Sequence, residues 1–80
     1  MNKKKIALKL IGRRCKEWRV SKGLSQNDIA KIANVTIPVI CDFEHGRNDS
    51  CVYIFAYVLQ GMDIQDLIEI WSNVYHVREK

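Results

Sequence analysis

Apolar residues recur at helical spacing along most of this chain. The first such stretch predicts an amphipathic helix over about residues 5–21, with basic residues on its outer face. A last stripe predicts a helix that begins after Asp63, which can cap it. The apolar face of the first helix consists of Ile6, Leu10, Ile11, Cys15 and Trp18, and that of the last helix of Ile64, Leu67, Ile68, Trp71 and Val74 or Tyr75.

Residues 52–59 are apolar on nearly every side. This pattern predicts a fourth helix that starts at a Ser50 cap, ends at Leu59 or Gln60 before Gly61, and is buried on most sides. The β-branched and aromatic content of residues 51–58 also allows a strand, but that strand would have no obvious partner. We therefore expect an all-α fold of five helices.

The segment between the first and fourth helices predicts two short helices, about 26–33 and 37–45, joined by a tight turn. The local signals are a capping box from Ser25 to Asp28, Asn34 at the left-handed position of the turn, Thr36 as a cap, Pro38 in the first turn of the second helix, and Gly46 after its end. Such a pair of helices is the arrangement that lays its second helix into the major groove of DNA.

Length and composition predict one domain. Eighty residues suffice for a single small core, which we place at about residues 6–75, preceded by a basic tail at 1–5. No apolar run has the roughly 20 residues of a membrane span, and no signal-peptide core follows the first lysines. Three widely spaced cysteines, an odd number, indicate a reducing compartment, so we expect a cytoplasmic protein.

The net charge of +4 is unevenly distributed. Residues 1–22 contain nine Lys or Arg and only one acidic residue, Glu17. Residues 48–80 contain five Asp or Glu against two basic residues. A basic front and an acidic rear would orient the molecule on a polyanion, although Lys3, Lys4 and Lys5 equally suit a solvated tail.

About residues 10–68 resemble the lambda-repressor-like (Cro/XRE-type) helix-turn-helix family. The matching residues, in family order, are Ile11-Gly12, Arg14, Cys15, Glu17 to Arg19, Lys22 to Gln26, Ile29-Ala30, Val35-Thr36, Ile40 and Phe43 to Arg47. The resemblance implies a compact five-helix DNA-binding domain in which helices 2 and 3 form the helix-turn-helix.

The resemblance also implies roles for individual residues. Arg19 and Glu44 match a partly buried ion pair that joins the first and third helices, a structural role. Gln26 matches the glutamine at the start of the second helix that meets a DNA phosphate, where the helix N-terminus itself favours an anion. Further phosphate contacts are expected from the loop residues Arg47 and Asn48 and from Arg14 on the first helix.

The positions that read bases in this family are commonly polar, and here they are not. They correspond to Ile37, Pro38 and Val39, with Asp42 beyond. The apolar residues can contact thymine methyl groups, and Asp42 can accept from a cytosine amino group while it repels phosphates. The alternative is that Ile37 and Val39 pack against a partner protein or against the neighbouring subunit. In an anti-repressor-like interaction module, Ile37, Pro38 and Val39 would form the contact patch.

Metal binding and catalysis are the rival chemistries, and neither is expected. Cys41, His45 and Cys51 have only loosely the spacing of a zinc site and lack a fourth ligand. A cysteine nucleophile would need an oxyanion pocket, which nothing in the sequence builds. We therefore predict no enzyme, no metal and no cofactor.

The apolar stripe of the last helix predicts self-association. Ile64, Leu67, Ile68 and Trp71 can close the core over the first and fourth helices. A domain this small is not expected to cover a stripe that extends to Val74 and Tyr75, so we expect a two-fold dimer contact at Trp71 and Tyr75. The sequence thus predicts a homodimeric, double-stranded-DNA-binding transcriptional regulator, more often a repressor than an activator, that binds an inverted-repeat operator. It would be nucleoid-associated or phage-encoded in a bacterial host, and its partner under the alternative function is a regulatory protein.

Overall fold

The computed structural model describes residues 2–48 and 51–75, without the side chains of Cys51 and Tyr75. These residues form five α-helices and one 3₁₀ turn, and no strand. The helices are α1 (Lys3–Ser21), α2 (Gln26–Ala33), α3 (Ile37–Glu44), α4 (Ile54–Leu59) and α5 (Gln65–Tyr75), with the 3₁₀ turn at Cys51–Tyr53 before α4. The predicted all-α architecture is confirmed.

Helix α1 begins earlier than the apolar pattern predicted. The side chain of Asn2 accepts a hydrogen bond of 2.7 Å from the backbone N–H of Lys4, which caps the helix. The lysines at positions 3 to 5 therefore form its first turn and not a tail. The helix ends as predicted at Lys22, and Gly23 follows with φ of +72°.

The connection between α2 and α3 has the predicted local geometry. Ser25 and Asp28 exchange side-chain-to-backbone hydrogen bonds of 3.1 and 2.8 Å, which completes the capping box. Asn34 ends α2 in the left-handed conformation with φ of +58°. Thr36 occupies the cap position of α3 but its side chain makes no capping hydrogen bond, so that part of the prediction was wrong.

The core lies between α1, which packs on α3 and α5, and α2, which packs on α3 and α4. Its buried members are Ile11, Cys15, Ile29, Ala30, Ile40, Phe43, Ala56, Tyr57, Met62 and Leu67. Gly12 allows the closest approach, because a Cβ there would lie 2.5 Å from the Phe43 carbonyl oxygen. The end of α3 is thereby fixed against the middle of α1.

Helix α4 is shorter and less buried than the sequence predicted. Ala56 and Tyr57 are buried, but Val52, Phe55 and Leu59 are 58%, 62% and 73% exposed. Four flanking helices would be needed to cover a helix on all sides, whereas α4 packs chiefly on α2 and α1. The predicted Ser50 cap lies outside the described residues.

Helix α5 starts at the predicted cap, where Asp63 accepts a hydrogen bond of 2.9 Å from the backbone N–H of Gln65. Leu67 is buried and Trp71 packs half-buried on the core, while Ile68 is 47% exposed. The side chain of Tyr75 lies outside the described part. Among the described helices, none is both long and apolar enough to cross a bilayer.

Candidate nucleic-acid interface

The start of α3 presents an uncharged surface. Ile37 is 44% exposed, Pro38 is exposed and Val39 is half-buried. Proline at this point costs no helical hydrogen bond, since N–H groups of a first turn have no partner within the helix. Ile40 and Phe43 lie on the other side of α3, in the core, and hold the exposed side outward. The predicted base-reading residues therefore lie on or near the surface.

The other end of α3 is held by a buried ion pair between Arg19 and Glu44. Arg19 Nε and Nη2 donate to the two Glu44 carboxylate oxygens at 2.7 and 3.0 Å, in a bidentate arrangement. Arg19 Nη1 also donates to the Leu24 carbonyl at 2.9 Å. The predicted pair is confirmed, and it links α1, the loop before α2, and α3.

Glu44 accepts two further hydrogen bonds, from Tyr57 Oη at 2.5 Å and from Gln26 Nε2 at 3.1 Å. Burial opposes ionisation of Glu44, but the donors from Arg19, Tyr57 and Gln26 outweigh it and hold the pKa of the carboxyl below its usual range. Burial and the bond to Glu44 raise the pKa of the Tyr57 phenol. Glu44 is thus a buried carboxylate shared by α1, α2, α3 and α4.

Gln26 has its side chain turned toward this cluster, and the sequence did not predict that contact. Its amide end is occupied by Glu44. The backbone N–H groups of Gln26 and Asn27 have no acceptor among the described residues, as is usual in the first turn of a helix. The phosphate contact expected of Gln26 therefore remains a prediction that these two backbone groups can meet.

Arg47 lies beside Asp42 on the outer side of α3, with Arg47 Nη1 at 3.3 Å from Asp42 Oδ1. Both side chains are about half exposed or more, so the pair is weak. Asn48 Nδ2 donates to the Val39 carbonyl at 3.4 Å, and Asn48 Oδ1 is buried without a partner in the described chain. The phosphate contacts predicted for Arg47 and Asn48 remain predictions, and Asp42 engages only one nitrogen of the Arg47 guanidinium.

Arg14 and Arg13 point to different sides of α1. Arg14 pairs with Asp66 of α5 at 3.1 Å, in an exposed ion pair that the sequence did not predict. Arg13 lines a groove of about 550 Å³ next to the end of α3, together with Lys9, Lys16 and His45. Within the described chain, none of Lys9, Arg13 and Lys16 is in an ion pair. The sequence could have separated Arg13 from Arg14, because neighbouring residues of a helix point about 100° apart around its axis.

Two cysteine side chains, Cys15 and Cys41, are among the described residues. Cys41 Sγ lies 3.7 Å from His45 Nδ1, one helical turn away, and the described residues hold no group of three or more metal-ligating side chains. Cys15 is fully buried beside Ile11, and burial raises the pKa of its thiol to about 12, with a contribution from the charge of Glu44. At neutral pH this thiol is protonated and behaves as a small apolar core residue.

Known proteins offer no guide to this surface. No family model, no curated protein and no solved structure matches the chain. The surface combines the uncharged start of α3, the exposed Arg47, two backbone N–H groups of α2 that have no acceptor among the described residues, and a basic groove.

Proposed function

We propose that this chain is a sequence-specific DNA-binding transcriptional regulator, acting as a repressor that binds an inverted-repeat operator as a homodimer. One observation carries the proposal: Glu44 of α3 fixes α1, α2 and α4 relative to α3 through four hydrogen bonds. Such rigidity keeps the exposed side of α3 available for the major groove. The lambda-repressor-like resemblance supports the same fold and activity.

Phosphate contacts supply most of the affinity in this proposal. The N–H groups of Gln26 and Asn27, which have no acceptor among the described residues, favour an anion, and Arg47 and Asn48 follow the end of α3. Lys9, Arg13 and Lys16 add exposed positive charge beside the end of α3. Binding that depends on such contacts weakens steeply with salt.

Base recognition falls to the first turns of α3. Ile37 and Pro38 offer apolar contacts to thymine methyl groups, and Asp42 accepts from a cytosine amino group. Methyl contacts discriminate less strongly than bidentate hydrogen bonds, so the operator preference should concentrate on thymine-bearing steps.

Two neighbouring arginines provide the matched test of the phosphate surface. Arg13→Gln and Arg14→Gln change the net charge equally, but Arg13 lines the groove beside the end of α3, whereas Arg14 lies toward α5 and pairs with Asp66. Fluorescence anisotropy with a labelled duplex across a salt series should show that Arg13→Gln and Arg47→Gln weaken binding and reduce the salt slope by about one unit each. Arg14→Gln should change neither. Equal effects of all three substitutions would mean that net charge alone drives binding, which contradicts the proposal.

The exposure of Ile37 also favours a second candidate, a protein-interaction module. In that case the apolar patch of Ile37, Pro38 and Val39 binds a regulatory protein and not a base. Ile37→Ser separates the two functions, because this exposed position tolerates a polar side chain. Lost operator affinity supports DNA recognition, whereas unchanged affinity with lost regulation in cells supports the module.

A further inference from the structure

The least covered apolar surface of the molecule lies on α4 and not on α5. Val52, Phe55 and Leu59 follow one side of the 3₁₀ turn and α4 at spacings of three and four residues, and Ile32 of α2 adjoins them with 37% exposure. We call these four residues the α4 face. Leu59, at 73% exposed, is the most exposed of the large apolar residues in the described chain.

The α4 face is also free of charge. Residues 50–62 contain no Asp, Glu, Lys or Arg. A groove of about 210 Å³ runs between α2 and α4, and Phe55 and Leu59 stand on its border with Ala33 and Ala56. Depletion of charge with aromatic enrichment is typical of the core of a protein interface. A membrane-surface helix would instead carry Lys or Arg beside its apolar side.

We propose that the α4 face is the contact between two copies of this chain, related by a two-fold axis. A projecting side chain beside a groove on the same face is self-complementary, because the rotation places Phe55 or Leu59 of each copy at the groove of the other. Because both copies use the same surface in a two-fold contact, no such surface remains for a third copy, and the assembly closes at two copies.

The area of the α4 face matches a small dimer. Side chains of this size expose about 150–250 Å² when free, so at the stated exposures the four residues offer on the order of 400 Å². Interface cores are about 65% apolar, so a contact built around this face buries about 600 Å² per copy, about 1,200 Å² in total. This value is at the lower bound for specific interfaces, where weak and reversible contacts lie.

This assignment moves the dimer contact away from Trp71 and Tyr75. Trp71 packs half-buried on the core of its own chain, so less of its ring is available to a partner. One consequence of the dimer, the spacing of two α3 helices on DNA, rests on the proposed function. Its existence can be measured without DNA, so each of the two proposals can fail by itself.

Sedimentation equilibrium of the DNA-free full chain tests the inference. From about 2 to about 300 µM, the wild-type mass should rise from one copy to two, and should do so in both about 0.15 M and about 0.5 M NaCl, because an apolar contact is not screened. Leu59→Glu and Phe55→Glu should each weaken dimerisation at least about tenfold, since each copy then places a charge in the contact. Circular dichroism and thermal unfolding should remain close to wild type, as expected for exposed positions.

Ile68→Glu is the matched control, because Ile68 is an exposed apolar residue on α5. It should leave the dimer intact. A wild-type mass of one copy at the highest concentration overturns the inference, and so does dissociation by Ile68→Glu with an intact dimer in Leu59→Glu. If the dimer behaves as described but binds no DNA, the inference stands and the proposed function fails.

Discussion

At the scale of single residues, Glu44 determines how the other parts meet. One carboxylate receives donors from three other helices, Arg19 of α1, Gln26 of α2 and Tyr57 of α4. A buried carboxylate that lost a donor would keep its desolvation cost. Each of these donors therefore contributes more to the free energy of unfolding than an exposed ion pair does. The exposed Arg14–Asp66 pair, by contrast, contributes little.

Tyr57→Phe isolates one of these donors. The ring still packs against Phe43 and Trp18, but Glu44 loses its hydroxyl partner. We expect a loss of about 1.5–3 kcal/mol in the free energy of unfolding, the range for a hydrogen bond to a charged group. Urea denaturation followed by circular dichroism measures it. Tyr53→Phe is the control, because Tyr53 also packs on Phe43 and its hydroxyl has no hydrogen bond within the described chain.

The same substitution should have a pH-dependent effect. Because the pKa of folded Glu44 lies below its unfolded value, its ionisation stabilises the fold above the unfolded pKa, about 4.3, and this contribution is lost as pH falls through the folded pKa. The loss of the Tyr57 donor raises the folded pKa. The destabilisation by Tyr57→Phe should therefore be full at pH 7 and shrink in acid, as unfolding curves over this range would show. A constant difference at every pH would contradict the assigned role of Glu44.

Asp42 and Arg47 oppose each other at the proposed DNA surface. Asp42→Asn removes the partner that holds Arg47 and the charge that repels phosphates. We expect several-fold tighter binding to generic duplex DNA at low salt, measured by anisotropy. Asp66→Asn, which frees Arg14 with the same change in charge, is the control and should have a smaller effect. Weaker binding to the operator alone would show that Asp42 reads a base.

At the scale of helices, local signals were predictable and packing was not. Ser25, Asn34 and Gly46 act within four residues of themselves, so the bounds of α2 and α3 could be predicted from the sequence. The sequence of α4 contains no local signal that predicts how this helix packs. A segment apolar on all sides has no periodicity to show which side is covered, and the phenol of Tyr57 finds Glu44 only in the fold.

Gly12 tests the packing of α1 on α3. Alanine normally stabilises a helix interior relative to glycine by about 1 kcal/mol. Here its Cβ would meet backbone oxygens of Phe43 and Glu44 within 3 Å, so we expect Gly12→Ala to destabilise the protein by about 1–3 kcal/mol. Thermal or urea unfolding measures the change. Val20→Ala, at an exposed position of α1, should stay within about 0.5 kcal/mol, and a stabilising Gly12→Ala would refute the close approach.

At the scale of the whole molecule, charge and apolar surface are segregated. Lys9, Arg13 and Lys16 of α1 lie beside the end of α3, the acidic residues Asp63, Asp66 and Glu69 lie at the start of α5 or on it, and residues 50–62, which include three members of the α4 face, carry no charge. The sequence showed the charge asymmetry but placed Arg14 with the basic surface, because a shift of one residue rotates a side chain by 100° around the helix. Which residue faces DNA depends on which helices pack together.

The most direct measurement is anisotropy binding of the wild-type chain to generic duplex DNA and to fragments of its own upstream region, over a salt series. A dimeric operator-binding regulator should bind one fragment tightly, with a steep salt slope and two chains per site. Weak binding to every fragment, abolished by modest salt, would leave only nonspecific attraction to a basic surface and would contradict sequence-specific regulation.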